Sequence, residues 1–224
     1  MELDALLAEQ KRYYRERAQE YDDWWFRRGR YAIGPGEAAR WAADIAEVER
    51  ALEAFAPGGD VLELAGGTGL WTRTLVRHAR SLTVVDASAE TLELNRRRIG
   101  DPAVEYVHAD VFEWQPPRTY DVCFFSFWLS HVPEPRFAEF WRLVRSALAP
   151  GGRVFLLDSG RGDGAHTSAL NEGEELRRLA DGREFRIVKR YFEPRDLEQR
   201  LGELGFEATA RTTANGSFLY VTCG

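Results

Sequence analysis

The sequence predicts an α/β protein built on a doubly wound, mostly parallel sheet. Three observations carry that prediction. Val61, Leu62 and Leu64 read as a short buried strand that runs through Gly66, Gly67 and Gly69 into a helical segment over 71–78. Asp86 closes a second apolar run, over 81–86, nineteen positions after Gly67. Beyond it, apolar runs alternate with helical stripes to the C-terminus, the pattern of strands and helices layered on one sheet.

Taken in order, residues 2–26 read as a helical arm with many aromatics for so charged a segment: Tyr13, Tyr14, Tyr21, Trp24, Trp25 and Phe26, with Tyr31 beyond Gly29. These rings need cover, either as anchors to the main domain or as a lid over a ligand. Gly34-Pro35-Gly36 breaks the chain, and Trp41, Ile45, Val48, Leu52 and Phe55 then share one helical face. Ser88 suits the N-cap of a helix through Arg98 that Gly100-Asp101-Pro102 stops. Residues 104–110 form a third strand. The near-continuous apolar run over 120–127 is a strand covered on both faces, with Cys123 as packing. Phe137, Phe140, Trp141, Val144 and Leu148 mark the next helix, halted by Pro150-Gly151-Gly152 before a fifth strand over 153–158. A loop from Ser159 leads to an expected short helix over 168–180 and an extended segment over 184–191. Pro194 opens a helix whose Leu197, Leu201 and Leu204 share a face. Segments 206–213 and 217–222, joined through Asn215-Gly216, read as an antiparallel pair.

Bulk properties narrow the function. A chain of 224 residues with 44% hydrophobic content fills one substantial core. Its net charge of −6 argues against a nucleic-acid surface, which needs concentrated Lys and Arg. The N-terminus is acidic and lacks the apolar core of a secretory signal, and no run suits a membrane span. Two cysteines, Cys123 and Cys223, are too few for a disulfide framework and fit a reducing, cytoplasmic compartment.

The glycine turn decides the class of ligand. A dinucleotide fingerprint starting at Gly67-Thr68-Gly69 requires glycine at the position held by Thr72, which disfavours a nicotinamide oxidoreductase. Glu63-Leu64-Ala65-Gly66-Gly67-Thr68-Gly69 instead resembles the first motif of class I S-adenosylmethionine-dependent methyltransferases, E/D-x-G-x-G-x-G, with Ala65 in place of the first glycine. The resemblance covers roughly residues 38–224 and implies a Rossmann-like, seven-stranded sheet with a C-terminal antiparallel hairpin. The expected organisation is an arm or lid over 1–36 and a methyltransferase domain over 37–224, with an insertion at about 159–183.

The same resemblance implies S-adenosylmethionine as cofactor. Glu63, Ala65, Gly66, Gly67 and Gly69 form its turn, and Tyr21 reaches its methionyl part. Asp86, whose place at a strand end itself suits the two hydroxyls of a ribose, acts with the neighbouring Ala87. Asp110 and Val111 meet the adenine, and Ser126 is also among the expected cofactor-binding residues. Ser126-Phe127-Trp128-Leu129 stands where enzymes that methylate nucleic-acid amino groups carry Asn-Pro-Pro-Tyr, and this greasy wall suits a small organic acceptor. Tyr14, Trp24, Trp25, Trp128 and His131 are the expected acceptor-binding residues.

A sulfonium methyl is already electrophilic, so the protein chiefly aligns a nucleophile and excludes water. Where the acceptor is a hydroxyl or ammonium, a base is needed, and His131 and then His166 are the candidates by position. His78 and His108 read as structural, and no metal is expected. The expected activity is methyl transfer to oxygen or nitrogen of a small molecule; a non-catalytic S-adenosylmethionine-binding module is the alternative.

Overall fold

Two short helices, α1 (Glu2–Arg17) and α2 (Tyr21–Trp25), form the N-terminal arm and lead into the long helix α3 (Pro35–Phe55). The computed structural model describes residues 2–160, 168–171 and 173–224. After α3 the chain alternates β1 (Gly59–Leu64), α4 (Thr72–Leu75), β2 (Ala79–Asp86), α5 (Ala89–Ile99) and β3 (Val104–His108). It then returns to the middle of the sheet through β4 (Tyr120–Ser126), α6 (Phe137–Ala147) and β5 (Leu148–Ser159). The chain then forms β6 (Ser168–Asn171), β7 (Glu174–Arg178) and β8 (Glu184–Val188) before α7 (Pro194–Glu203), β9 (Ala208–Thr212) and β10 (Phe218–Cys223).

The main sheet has seven strands in the order β3-β2-β1-β4-β5-β10-β9, with β10 antiparallel to both of its neighbours. The chain runs outward from β1 to β3, then starts again at β4 beside β1. The carboxyl ends of β1 and β4 are therefore the switch point where doubly wound sheets hold their ligands.

Continuous apolar runs become intelligible from the pleat. Phe124 packs with Trp41, Leu52 and Phe218 on one face, whereas Phe125 packs with Phe140 and Trp141 on the other. Leu156 and Leu157 divide in the same way. Cys123 is fully buried between the layers, and burial pushes its thiol well above the usual range. Ser88 caps α5 by accepting from the Thr91 amide at 3.1 Å, and Gly100 ends that helix with a left-handed φ of 64°.

One local feature differs from expectation. The segment expected as a short helix over 168–180 contains the strands β6 and β7, which form a three-stranded antiparallel sheet with β8. The reason is tertiary. Leu179, Phe185 and Ile187 are buried against Tyr13 of α1, and a pleated hairpin places them on one surface. Each large side chain taken out of water contributes about 1.5–3 kcal/mol. An exposed ion pair such as Arg186 to Glu9, at 3.2 Å, adds at most about 1 kcal/mol, so the ring cluster fixes the arm. The turn between β9 and β10 runs through Asn215-Gly216 and joins an antiparallel pair, as expected. Buried Asp44 of α3 accepts from the amides of Asn215 and Ser217, both at 3.1 Å, and thereby sets its course.

Candidate active site

A cleft of about 880 Å³ opens at the switch point. Its floor is the glycine turn. Ala65 takes a φ of 51°, the left-handed conformation that explains why glycine is usual there, at a cost of about 1–2 kcal/mol for a residue with a Cβ. Gly67 donates its amide to Asp86 Oδ2 at 2.9 Å, and the Ser88 amide donates to Oδ1 at 2.9 Å. Burial pushes the Asp86 carboxyl up, and these amide hydrogen bonds oppose the shift. Thr91 Oγ1 also donates to Oδ1, at 3.5 Å, so the acid is fixed at the tip of β2 with a lone pair left on Oδ2 for a ligand.

Glu63 and Gly69 belong under the turn and do not line the cleft. A Cβ on Gly69 would come within 2.7 Å of the Asn95 side chain. Asn95 Nδ2 donates to the Gly67 carbonyl at 3.2 Å and to Thr72 Oγ1 at 2.9 Å, and Thr72 in turn donates to Glu63 Oε2 at 2.6 Å. Burial pushes the Glu63 carboxyl up to about 8, so it is mostly protonated at neutral pH. Gly66 lies too close to Val84 for any side chain and lines a smaller cavity beside the turn. Both residues support the cradle from behind.

Asp110 lies just beyond β3 and lines the cleft with Val111. Its Oδ1 accepts from the Phe112 amide at 2.9 Å and its Oδ2 from Lys11 Nζ at 2.7 Å. Phe112 and Trp128, ring centres 5.3 Å apart, add an aromatic wall. Ala87, also lining the cleft, has its carbonyl 3.1 Å from His108 Nε2.

The opposite wall comes from the arm: Leu7, Gln10, Lys11 and Tyr14 of α1, and Tyr21 of α2. His131, 4% exposed, meets Tyr14 there. Its Nδ1 is 2.6 Å from the Val188 carbonyl, which only accepts, so Nδ1 carries the proton. Nε2 is then bare and accepts from the Tyr14 hydroxyl at 2.6 Å. Burial first, then the positive charges of Lys189, Arg177 and Arg17, hold His131 well below its ordinary value. Burial likewise raises Tyr14 well above the ordinary phenol range. Gln10, one turn before Tyr14, accepts from the Val188 amide at 2.9 Å and donates to the His131 carbonyl at 3.2 Å. Asp22 of α2 accepts from Thr68 at 2.7 Å and pairs with Arg98, which ties the arm to the glycine turn.

Trp24 and Trp25 do not reach the cleft, contrary to expectation. They pack behind it, on Trp41 and on Phe127, whose ring centres lie 5.1 Å from Trp24 and 5.8 Å from Trp25. Phe127 lines the cleft with Ser126 and holds a left-handed φ of 51°, strained for so bulky a residue. The tryptophans keep that strained ring in place. His166 lies outside the described residues. Sequence reasoning missed Leu7, Gln10, Lys11, Ser88, Thr91 and Phe112 as cleft residues. The spacing of Gln10 and Tyr14, one helical turn apart and both polar, is the signal that could have found Gln10.

The methyltransferase domain family matches residues 36–211. The chain belongs to that family. DhpI, solved in a complex with SAM and HEP, is 40% identical, with 98% of this chain and 97% of that chain covered and a TM-score of 0.80. Its SAH complex gives 39% identity, coverage of 98% and 96%, and a TM-score of 0.77. Among curated family members, the demethylmenaquinone methyltransferase of Clavibacter sepedonicus is 37% identical over 45% of this chain and 41% of its own length. The mitochondrial ubiquinone biosynthesis O-methyltransferase of Schizosaccharomyces pombe is 32% identical over 50% of this chain and 42% of its own. The chain thus spans about half the length of the curated relatives it matches. The solved family members place a methyltransferase cofactor in this fold over nearly its whole length.

Proposed function

We propose that this chain is an S-adenosylmethionine-dependent methyltransferase acting on an oxygen or nitrogen of a small organic molecule. The observation that carries the reading is the pairing, within one cleft, of a glycine turn locked to Asp86 with an aromatic wall supplied by the arm. The donor set fits the cofactor. Asp86 retains acceptor capacity for ribose hydroxyls, Asp110 and the Val111 and Phe112 backbone suit an adenine edge, and Tyr21 stands over the turn where the methionyl part would lie. When bound, S-adenosylmethionine supplies an electrophilic methyl group.

The residues of this chain bind, orient and dry the site. Leu7, Tyr14 and Tyr21 close the cleft from the arm, which supports assigning residues 1–36 as a lid on the domain over 37–224. Trp128 and Phe127 present apolar surface to the acceptor, and Tyr14 and His131 give that surface its polar edge. A net charge of −6 supports a small molecule over nucleic acid as partner. Among the described residues no helix is long and apolar enough to cross a membrane, and both cysteines are free and buried, which supports a cytoplasmic setting.

Methyl transfer from labelled S-adenosylmethionine to a panel of phenols, carboxylates, phosphate esters and amines tests the reading. Labelled product from at least one small acceptor is expected. Label retained in the cofactor across the panel, with the cofactor bound, would favour a non-catalytic module.

A further inference from the structure

Three glycines make the cradle cheap to shape and costly to hold still. Gly66, Gly67 and Gly69 leave Thr68 as the only side chain between positions 66 and 69, and fixing a glycine costs more backbone entropy than fixing any other residue. Part of the turn is tied to the sheet and to α5. The Gly66 amide donates to the Val85 carbonyl at 3.2 Å, the Gly67 amide to Asp86 at 2.9 Å, and Asn95 to the Gly66 and Gly67 carbonyls at 3.4 and 3.2 Å.

Thr68, 2% exposed, has partners of its own. Its hydroxyl donates to Asp22 Oδ1 at 2.7 Å. Arg98 Nη1 donates to the Thr68 carbonyl at 2.7 Å and to its hydroxyl oxygen at 3.2 Å, and Arg98 also pairs directly with Asp22. Asp22 and Arg98 lie 76 positions apart, on α2 and in the last turn of α5, and neither lines the cleft or the smaller cavity beside the turn. The neighbouring arginines of α5 face other partners: Arg96 and Arg97 pair with Glu93 at 3.1 and 2.8 Å.

Docking of α2 does not need this pair. Trp25 is buried with its ring centre 5.8 Å from Trp71 and 5.9 Å from Phe218, and its carbonyl accepts from the Trp41 indole at 3.0 Å. Large rings removed from water outweigh an ion pair whose side chains are 27% and 29% exposed. What the pair adds is a hold on Thr68. Tyr21, the residue before Asp22, lines both the cleft and the smaller cavity, so one anchored helix presents a ring to the ligand and a carboxylate to the turn.

We propose that Asp22 and Arg98 are positioning residues for the cofactor: acting through Thr68, they hold the glycine turn in its binding conformation before the ligand arrives. The proposal rests on the reading of this cleft as an S-adenosylmethionine site and assigns two residues outside it. A turn ordered in advance loses less entropy on binding, so the pair contributes to affinity without touching the ligand. Its partial exposure also leaves it open to screening by salt.

The test combines calorimetric titration of the full chain with S-adenosylhomocysteine and amide exchange of the ligand-free chain at Gly67 and Gly69. Asp22→Ala and Arg98→Met are each expected to weaken binding about fivefold to tenfold and to speed exchange at those two amides by a similar factor. The double variant is expected to stay within about twofold of the weaker single one, because either change alone breaks the same hold. Wild-type affinity and exchange in both single variants would overturn the proposal and leave the pair a surface contact. Losses that multiply in the double variant would overturn it too, since the two residues would then act independently. Should the variants fail to fold, salt decides on the wild type: exchange at Gly67 and Gly69 that quickens about threefold between about 0.05 and 0.5 M salt supports the proposal, and exchange flat in salt contradicts it. Absence of S-adenosylhomocysteine binding by the wild type would sink the cofactor reading, and exchange in the ligand-free chain would still decide whether Asp22 and Arg98 hold the turn.

Discussion

Tyr14 and His131, 117 positions apart in the chain, form a directed hydrogen bond in which the phenol donates to Nε2 at 2.6 Å. The direction follows from the Val188 carbonyl, which leaves Nδ1 no choice but to donate. The arm, the cleft histidine and β8 are thereby joined through one side chain.

Tyr14→Phe removes the donor and leaves a buried imidazole nitrogen unpaired. A loss of about 1–3 kcal/mol in stability is expected from denaturant unfolding. Unchanged stability would show that the bond contributes nothing and that the arm is held by Tyr13 and its neighbours alone.

Asp86→Ala removes the carboxylate that holds the Gly67 and Ser88 amides as well as the expected ribose acceptor. Cofactor affinity, read from tryptophan emission, is expected to fall by about a hundredfold or more, since two charge-assisted hydrogen bonds are lost with the order of the turn. Near wild-type affinity would remove Asp86 from the site.

Much of this could be read along the chain because it depends on near neighbours. The alternation of Phe124 and Phe125, the Ser88 cap and the Asp86 strand end are local facts, and all appear where expected. What stayed hidden depends on distant partners. A helix over 168–180 is a reasonable local choice for a segment rich in Glu, Leu and Arg, and it loses because Tyr13 offers a surface that only a hairpin covers. Trp24 and Trp25 read as ligand-binding rings, yet the strained Phe127 takes that place and they support it. Lys11 could be assigned to Asp110 only once the arm had been seen to cross the cleft.

Glu63→Gln tests the buried acid beneath the turn. The unfolded chain releases this proton near 4.5 and the folded chain near 8, so the folded state holds more protons between those values. Stability from the protonated form is therefore complete at acid pH and is lost as pH rises through that window. The amide variant mimics the protonated acid. Its unfolding free energy is expected to exceed the wild-type value by about 2–4 kcal/mol near pH 8 and to match it at about pH 4.5. Parallel pH profiles for the two proteins would contradict the raised carboxyl.

Lys11→Ala frees Asp110 Oδ2. The lysine side chain is 48% exposed, so a stability cost below about 1 kcal/mol is expected. Affinity for S-adenosylhomocysteine is expected to stay level or rise up to about tenfold, because adenine no longer shares its acceptor. A tenfold weakening would make Lys11 part of the ligand grip.

Titration of the full chain with S-adenosylhomocysteine, followed by hydrogen exchange on the complex, tests the assignment most directly. Saturable binding at a single site is expected, with a dissociation constant on the order of micromolar and new protection confined to the Ala65 turn, the Asp86 tip, the Asp110 turn and the arm around Tyr14 and Tyr21. Absence of saturable binding, or protection elsewhere in the chain, would contradict it.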